Sequence, residues 1–233
     1  NYPIGYFYGF QTSGIFQNQQ QIDELRAQGH GVLSTSQPGD VIFVDYNGDG
    51  QITDLDKTLI GNPHPDFTYG FAIDLNYKDF DFRTSFNGSH GNDVLDGYDY
   101  YLYNMEGSGN QYADVAQRWR SPSNPGNGEV YRAARGGTQS NSTRLSTFYI
   151  QDASFLRMTN VMLGYTLPNE VVNKLKLGGL RFYASIDNPL TFSKYKGYNP
   201  EPDYNQRGNL TPGVDYGLYP LVRSYNLGLK VTF

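Results

Sequence analysis

Long stretches of strict alternation between apolar and polar residues constrain this chain more than any other feature. Within Phe67–Tyr77, every second side chain is aromatic or aliphatic, and the side chains between them are small or polar. A period of two is the signature of a β-strand. A strand over a soluble core usually runs for about 5–6 residues, whereas a tilted strand that crosses a bilayer needs about 9–11. The pattern therefore predicts a strand long enough to span a membrane.

Four further segments carry the same kind of pattern. They are residues 80–87, 155–166, 180–188 and 225–233. Only Lys78 and Asp79 separate the first two strands, which predicts a tight hairpin. In the third strand the alternation changes frame near Thr159 and Asn160, and a β-bulge at that point would reconcile the two frames.

The connections between these strands alternate between short and long. Residues 78–79 and 167–179 form short links, and residues 88–154 and 188–223 form long ones. Barrels of the bacterial outer membrane have short periplasmic turns and long extracellular loops. We therefore expect an all-β fold, a transmembrane antiparallel β-barrel, whose chain ends in the periplasm. The predicted extracellular loops are 17–66, which begins with an amphipathic helix over residues 17–28, then 89–153 and 190–221.

Five strands, or six if residues 5–16 form another, are too few to close a membrane barrel. Closure removes unpaired edges that lipid cannot satisfy, and it takes at least about eight strands. We therefore expect this chain to supply the C-terminal portion of a barrel. The remaining strands and any plug would lie on other segments.

The composition agrees with a barrel and excludes several other classes of protein. The chain has 21 Tyr, 14 Phe and 27 Gly, yet only 38% of its residues are hydrophobic, as expected when strands face a polar lumen and aromatic girdles mark the interfaces. A net charge of −5 argues against binding to nucleic acid. There is no cysteine, and neither a nucleophile elbow nor a phosphate-binding loop occurs. We expect no enzymatic activity.

Residues 45–56 match the calcium-binding loop of about 12 residues. The candidate ligands are Asp45, Asn47, Asp49, the backbone carbonyl of Gln51, and Asp56. A glycine at the sixth position of the loop permits the sharp turn that this motif requires. An Asx-rich surface turn would explain the same residues. The pattern favours a structural Ca²⁺ ion that pins an extracellular loop.

Aromatic residues of the longest predicted loop are candidates for substrate binding. They are Tyr98, Tyr100, Tyr101, Tyr103 and Trp119. Aromatic faces beside polar side chains can stack on a sugar or a peptide and hydrogen-bond it. Packing of the loop on the barrel mouth or on a partner protein would explain the same cluster. The three histidines are scattered and do not suggest a metal site.

Several blocks of the sequence resemble, in order, the SusC/RagA-type family of TonB-linked outer-membrane receptors. The blocks are residues 3–9 (PIGYFYG), 14–17, 39–43, 45–50, 61–70 (GNPHPDFTYG), 154–158, 163–168, 194–201 and the terminal strand. The resemblance implies a plugged barrel of about 22 strands and a SusD-like surface lipoprotein that acts as a lid. It also implies coupling to the TonB complex through an N-terminal part outside this sequence.

The terminal strand also resembles the signal that the barrel-assembly machinery reads. The residues concerned are Leu227, Leu229, Val231 and Phe233. The physical interpretation of Phe233 is an interface aromatic at the periplasmic rim.

Two functions are compatible with these patterns. The first is TonB-dependent import of a large nutrient, an oligosaccharide or an oligopeptide, across the outer membrane of a Gram-negative bacterium, as the barrel part of a SusCD-type complex. The second is a soluble extracellular calcium-binding β-domain for adhesion or scaffolding. The two differ in the surroundings of Leu227, Leu229 and Val231, which face lipid in a barrel and a second layer of structure in a soluble domain.

Overall fold

The computed structural model describes residues 3–105, 109–134, 140–202 and 211–233. The strands in these ranges are β1 (Phe7–Phe10), β2 (Thr12–Ile15), β3 (Val41–Phe43), β4 (Lys57–Gly61), β5 (Phe67–Tyr77), β6 (Phe80–His90), β7 (Asp93–Asp96), β8 (Ile150–Asp152), β9 (Phe155–Thr166), β10 (Gly179–Ser193), β11 (Val214–Asp215) and β12 (Ser224–Thr232). The helices are α1 (Gln19–Ala27), α2 (Gly97–Leu102), α3 (Ser140–Thr143) and α4 (Asn169–Lys174), with short 3₁₀ turns at Asp54–Asp56, Ala113–Gln117 and Thr147–Tyr149. Over the ranges described, no helix has both the length and the apolar character to span a bilayer.

The chain divides into two compact units. The sheet unit consists of residues 64–92, 152–201 and 218–233, and the insert unit consists of residues 1–63, 93–151 and 202–217. The chain therefore leaves one unit and enters the other repeatedly, and neither unit is a continuous stretch of sequence.

The sheet unit contains one five-stranded antiparallel sheet. Its strand order is β12-β10-β9-β6-β5, and every neighbouring pair is antiparallel. The five strands are the five predicted from the alternation, and β5 and β9 have the predicted bounds. β10 is longer than predicted and reaches Ser193. The predicted hairpin between β5 and β6 turns at Lys78, which has a positive φ of 53°.

One face of this sheet is apolar across all five strands. The register places Phe71 opposite Phe86, whose rings stack with centroids 4.7 Å apart. Farther along the sheet, Ala184 lies opposite Leu227. Leu227 is 90% exposed, so no second layer of the described structure covers it. This exposure is what a lipid-facing surface requires, and it is the opposite of what the soluble alternative needs.

The other face of the sheet carries charged and amide side chains that pair with one another. Nε of Arg83 lies 2.6 Å from Oδ1 of Asp74, and Nε of Arg181 lies 3.1 Å from Oδ1 of Asp81. Such cross-strand pairs stabilise a sheet modestly where water reaches them. A polar face of this kind suits the lumen of a barrel.

The predicted β-bulge is present in β9. Ser85 of β6 lies opposite Asn160, but the next residue, Phe86, lies opposite Met158, so Thr159 is the extra residue. The Thr159 hydroxyl donates to the Ser85 carbonyl at 3.1 Å. The bulge therefore switches the frame of the alternation and still satisfies a polar group.

The insert unit has a hydrophobic core of its own. Its buried members are Phe10, Ile15, Val41, Phe43, Tyr103, Val130 and Tyr131. Helix α1, which was predicted over residues 17–28, begins after Asn18, whose side chain accepts a hydrogen bond from the Gln21 N–H. It buries Ile22 completely. An Asn at this position satisfies one of the free N–H groups of the first turn.

Residues 5–16 do not supply a sixth strand of the large sheet. They form β1 and β2, which pair with β4 and β3 respectively in two small sheets of the insert unit. Each strand is only four residues long, so neither is long enough to pair along the full length of a strand of the large sheet. The segment also lacks the sustained alternation of those strands.

Much of the three predicted loops is folded rather than irregular. They contribute α2 and the strands β7, β8 and β11, and these three strands form one sheet. Parts of the predicted loops, residues 106–108, 135–139 and 203–210, lie outside the described residues. The extracellular location of all three loops stays a prediction.

Candidate functional site

Three tyrosines of the insert unit line a cleft of about 420 Å³, which we call the tyrosine cleft. They are Tyr98, Tyr101 and Tyr216, and Gly97 also lines the cleft. The rings of Tyr101 and Tyr216 meet edge to face, with centroids 6.5 Å apart. Tyr101 is 61% exposed, so its ring is accessible to a ligand.

Short elements hold the cleft together. Asp96 caps the N-terminus of α2, and its Oδ1 accepts hydrogen bonds from the backbone N–H groups of Tyr98 and Asp99. The Gln151 amide donates to both Asp96 and Asp99 at 3.0 Å. Strand β11 pairs in parallel with β7, with Asp215 opposite Asp96. This pairing brings the next residue along the chain, Tyr216, beside α2.

Two glycines permit the close packing of the tyrosines. Gly217 has a positive φ of 110°, and a Cβ on it would lie 2.2 Å from the Tyr98 hydroxyl oxygen. A Cβ on Gly97 would lie 2.2 Å from the Tyr216 ring. A side chain at either position would force a ring to move, so the shape of the cleft depends on both glycines.

The structure separates the five predicted substrate-binding residues. Tyr98 and Tyr101 line the tyrosine cleft, and Tyr100 is partly exposed with its ring 5.2 Å from that of Tyr101. Tyr103 lies in the hydrophobic core, where burial, together with nearby Asp99 and Asp114, raises its pKa to about 12. Trp119 is buried and lines a different cavity. Tyr103 is therefore a core residue, and Trp119 does not share a site with the tyrosines.

Sequence reasoning missed Tyr216, which lies more than a hundred residues from Tyr98 along the chain. It comes from residues 202–217, and the pairing of β11 with β7 brings it beside the segment that carries Tyr98 and Tyr101. The glycines beside these tyrosines, Gly97 and Gly217, were a usable signal, because close backbone approach often demands glycine.

The described lining of the tyrosine cleft is made of aromatic rings and a glycine. Its walls offer apolar ring faces and phenol hydroxyls that donate and accept hydrogen bonds. Among the lining residues that the structure describes, none carries a carboxylate or an imidazole. Such a surface suits flat, weakly apolar faces with hydroxyl or amide edges, which sugars and peptides both provide.

In the predicted calcium loop, backbone N–H groups already surround the first carboxylate. Oδ1 of Asp45 accepts hydrogen bonds from Gly48 and Asp49, and Oδ2 accepts from Gly31 and Gly50, at 2.8–3.2 Å. Desolvation is the largest single influence and raises the pKa of Asp45, but the four hydrogen bonds together outweigh it and hold the pKa below its ordinary value. The group is therefore an anion that the folded loop stabilises.

The last predicted ligand of this loop is hydrogen-bonded in the same way. Asp56 is fully buried, and its carboxylate accepts from the N–H groups of Tyr46, Asn47 and Thr53. The Asn47 amide donates to Asp49 at 3.0 Å. In the described parts of the chain, no group of three or more Asp, Glu, His or Cys side chains is placed to hold a metal ion. The oxygen donors suit calcium chemically, but the ion would have to replace existing hydrogen bonds, so calcium binding stays a prediction.

The fold and the cleft together define a class of protein. A five-stranded antiparallel sheet with one apolar and one paired polar face is a section of a β-barrel wall. Here the same chain also forms a second folded unit from the segment before the sheet and from two segments between its strands. Comparisons with known proteins agree. The chain is 39% identical to the TonB-dependent receptor P3 of Formosa agariphila over 99% of its own length and 22% of the receptor. It is 31% identical to the TonB-dependent receptor SusC of Bacteroides thetaiotaomicron over 97% of its length and 20% of the receptor.

A solved structure of the RagAB peptide importer in its closed-closed state has the same fold. It superposes with a TM-score of 0.72 at 23% identity, covering 100% of this chain and 23% of the matched chain. No protein-family model matches the chain. The chain is a segment of a SusC/RagA-type TonB-dependent receptor and corresponds to the C-terminal part of its barrel. It spans about a fifth of the length of the curated relatives it matches.

Proposed function

We propose that the receptor containing this segment imports a large nutrient, an oligosaccharide or an oligopeptide, across the outer membrane of a Gram-negative bacterium. In this proposal TonB drives transport, and a SusD-like surface lipoprotein covers the barrel in a SusCD-type complex. The names of the relatives, TonB-dependent receptors that include SusC, support TonB dependence. Being receptors rather than enzymes, they agree with the expectation that this chain has no catalytic role.

The observation that carries the proposal is the continuous apolar face of the five-stranded sheet. Leu227 and Leu229 are exposed on β12, and Phe71 and Leu75 are exposed on β5. In water this surface would be a strong aggregation hazard, whereas hydrocarbon is its natural environment. Since β12 forms part of a barrel wall in this proposal, the alternation of short and long links between strands supports a periplasmic C-terminus. In the same proposal, the barrel-assembly machinery recognises the terminal strand.

The tyrosine cleft is our candidate for contact with the nutrient. Its test uses the full-length receptor with Tyr101→Ala, Tyr216→Ala and the double variant. We expect the uptake rate at low nutrient concentration to fall by about tenfold, because a lost aromatic contact of about 1.4 kcal/mol is a factor of ten in affinity. Uptake at saturating nutrient should change little.

The matched control is Tyr219→Ala, which removes an 81% exposed tyrosine of the sheet unit that does not line the cleft. Uptake by the wild type should also disappear when TonB is deleted. Uptake that survives loss of TonB would contradict the import mechanism itself. Normal uptake by the double cleft variant would remove only the cleft from the proposal.

We further propose that Ca²⁺ binds residues 45–56 and pins that loop. The support is the agreement of five loop positions with the motif and the stabilised anion at Asp45. Calorimetry on the intact receptor should detect calcium binding that Asp49→Ala abolishes, since this carboxylate has the most unused acceptor capacity of the set. Absence of heat with the wild type would reduce the loop to a hydrogen-bonded Asx turn.

A further inference from the structure

A second cleft of the insert unit is lined by three arginines. It is an open cavity of about 450 Å³ whose lining includes Arg118, Arg120 and Arg132 together with Trp119. We call it the arginine cleft. The chain as a whole carries a net charge of −5, so this local concentration of cations does not follow from a basic composition.

Two of the three guanidinium groups lack a carboxylate partner within the described ranges. Arg118 donates from Nη1 to the Val115 carbonyl at 3.3 Å, and Arg120 donates from Nη2 to the Ala116 carbonyl at 2.8 Å. A guanidinium has five N–H donors in a planar fork that matches the oxygens of carboxylate and sulfate-like groups. Both side chains therefore keep most of their donors for an anionic ligand.

An ion pair, a hydrogen bond and close packing hold the wall of the arginine cleft in place. Asp40 is buried and pairs with Arg132, whose Nε lies 2.6 Å from Oδ1. Trp119 is buried, and its indole N–H donates to the Gln17 carbonyl at 3.2 Å. Gly39 has a positive φ of 90°, and a Cβ on it would lie 2.4 Å from the Trp119 ring. Since Arg132 is neutralised by Asp40, the free positive charge of the cleft belongs to Arg118 and Arg120.

We propose that the arginine cleft binds the sulfate or carboxylate groups of an acidic oligosaccharide, and that such a fragment is the cargo of the proposed importer. The inference rests on the proposed function and specifies its substrate class. Arg118 and Arg120 are two positions apart, so they offer two cations along one wall. An acidic oligosaccharide repeats an oxyanion from sugar to sugar, which suits two neighbouring guanidinium groups. A peptide of ordinary composition does not present anionic groups at such regular intervals.

The test measures binding of defined probes to the detergent-solubilised, full-length receptor by calorimetry. The probes are oligogalacturonate, sulfated dextran oligosaccharide, neutral dextran oligosaccharide and oligoglutamate of matched length. We expect at least one of the two acidic sugars to bind and the neutral sugar to bind at least tenfold more weakly. Binding should weaken as NaCl rises from about 50 to 500 mM, because the charges lie in an open cleft. The carboxylate and sulfate probes distinguish the two forms of oxyanion.

Variants assign the binding to this cleft. Arg118→Gln and Arg120→Gln should each weaken binding of the acidic sugar by about tenfold, the value of one charge-assisted contact. Arg120→Lys keeps the charge but not the fork and should recover part of the loss. The matched control, Arg26→Gln, removes an exposed arginine of α1 in the same unit and should bind like the wild type.

Three results would overturn the inference. They are equal affinity for acidic and neutral sugars, an equal loss in Arg26→Gln, and tight binding of oligoglutamate without binding of either acidic sugar. Each is separable from failure of the proposed function, which is measured as TonB-dependent uptake in cells. A receptor that imports a neutral nutrient in a TonB-dependent way would refute the proposed role of the arginine cleft and leave the import mechanism intact.

Discussion

The buried carboxylate of Asp40 connects several segments of the insert unit. Its carboxylate pairs with Arg132 and also accepts from the Asn141 amide at 2.8 Å and from the Gln37 backbone N–H at 2.8 Å. Its own backbone carbonyl accepts from the Phe16 N–H at 2.9 Å. A buried carboxylate with this many partners fixes the positions of several chain segments at once.

Asp40→Ala should therefore destabilise the insert unit strongly. Removal of one partner from a buried ion pair costs about 3–5 kcal/mol, because the remaining charge and donors lose their compensation. The measurement is hydrogen–deuterium exchange of residues 37–41 in the full-length receptor. Asp54→Ala is the control, since Asp54 is 81% exposed in its 2.9 Å pair with Lys57 and such a surface pair is worth about 1 kcal/mol or less. Equal effects of the two substitutions would contradict the central position of Asp40.

Asp45 makes the loop at residues 45–51 sensitive to acid. Its folded-state pKa is lower than the ordinary 3.8. As the pH falls below about 5, the Asp45 carboxylate therefore begins to bind a proton in the unfolded loop while it stays ionised in the folded loop. The stabilisation is complete above that range and is lost as the pH falls through the lowered folded-state pKa. We expect amide exchange in this loop to accelerate on acidification beyond its intrinsic pH dependence. Asp45→Asn should abolish that extra acceleration, and an unchanged profile in the variant would refute the assignment.

At the scale of elements, the strands were the part of the structure that local sequence could predict. Alternation located all five strands of the large sheet, and the change of frame located the bulge at Thr159, because a period of two reports directly which face each side chain occupies. The short strands β1, β2 and β11 have no such period. Their positions depend on partners distant in sequence, and for that reason the tyrosine cleft could be predicted only in part.

Strand β12 offers a direct test of the two faces. Leu227→Arg places a charge on the apolar face and should cost about 2–4 kcal/mol near the bilayer midplane. Asn226→Arg is the matched control, one residue away on the polar face, where the Asn226 amide already lies 3.1 Å from Asp187. The readout is the folded fraction of the full-length receptor in lipid, from heat-modifiable mobility on gels. Equal tolerance of both arginines would argue against a lipid-facing surface.

At the scale of the whole molecule, the large sheet has two outer strands that each pair on one side only within the described structure. They are β5 and β12. The backbone N–H and C=O groups of an unpaired strand edge form hydrogen bonds with other strands, and lipid cannot supply those hydrogen bonds. In a receptor of which this chain is about a fifth, neighbouring strands of the barrel are the natural partners.

We therefore expect residues 1–233 produced alone to associate edge to edge in detergent, and the full-length receptor to be monodisperse under the same conditions. Sedimentation velocity distinguishes the two outcomes. A stable monomer of the isolated segment would mean that its edges are satisfied in some other way, and the position of the sheet within a larger barrel would need revision.

The insert unit, which holds both clefts, is formed by three separate stretches of the chain. Its core joins Phe10 of the first stretch to Val130 and Tyr131 of the second, and the tyrosine cleft adds Tyr216 from the third. A single crossover between two genes exchanges one contiguous piece, so a crossover between residues 10 and 130 would leave a hybrid core, and one between residues 101 and 216 would divide the tyrosine cleft. New cargo preferences in receptors built this way are therefore expected to arise by stepwise substitution at cleft positions rather than by wholesale exchange of a module.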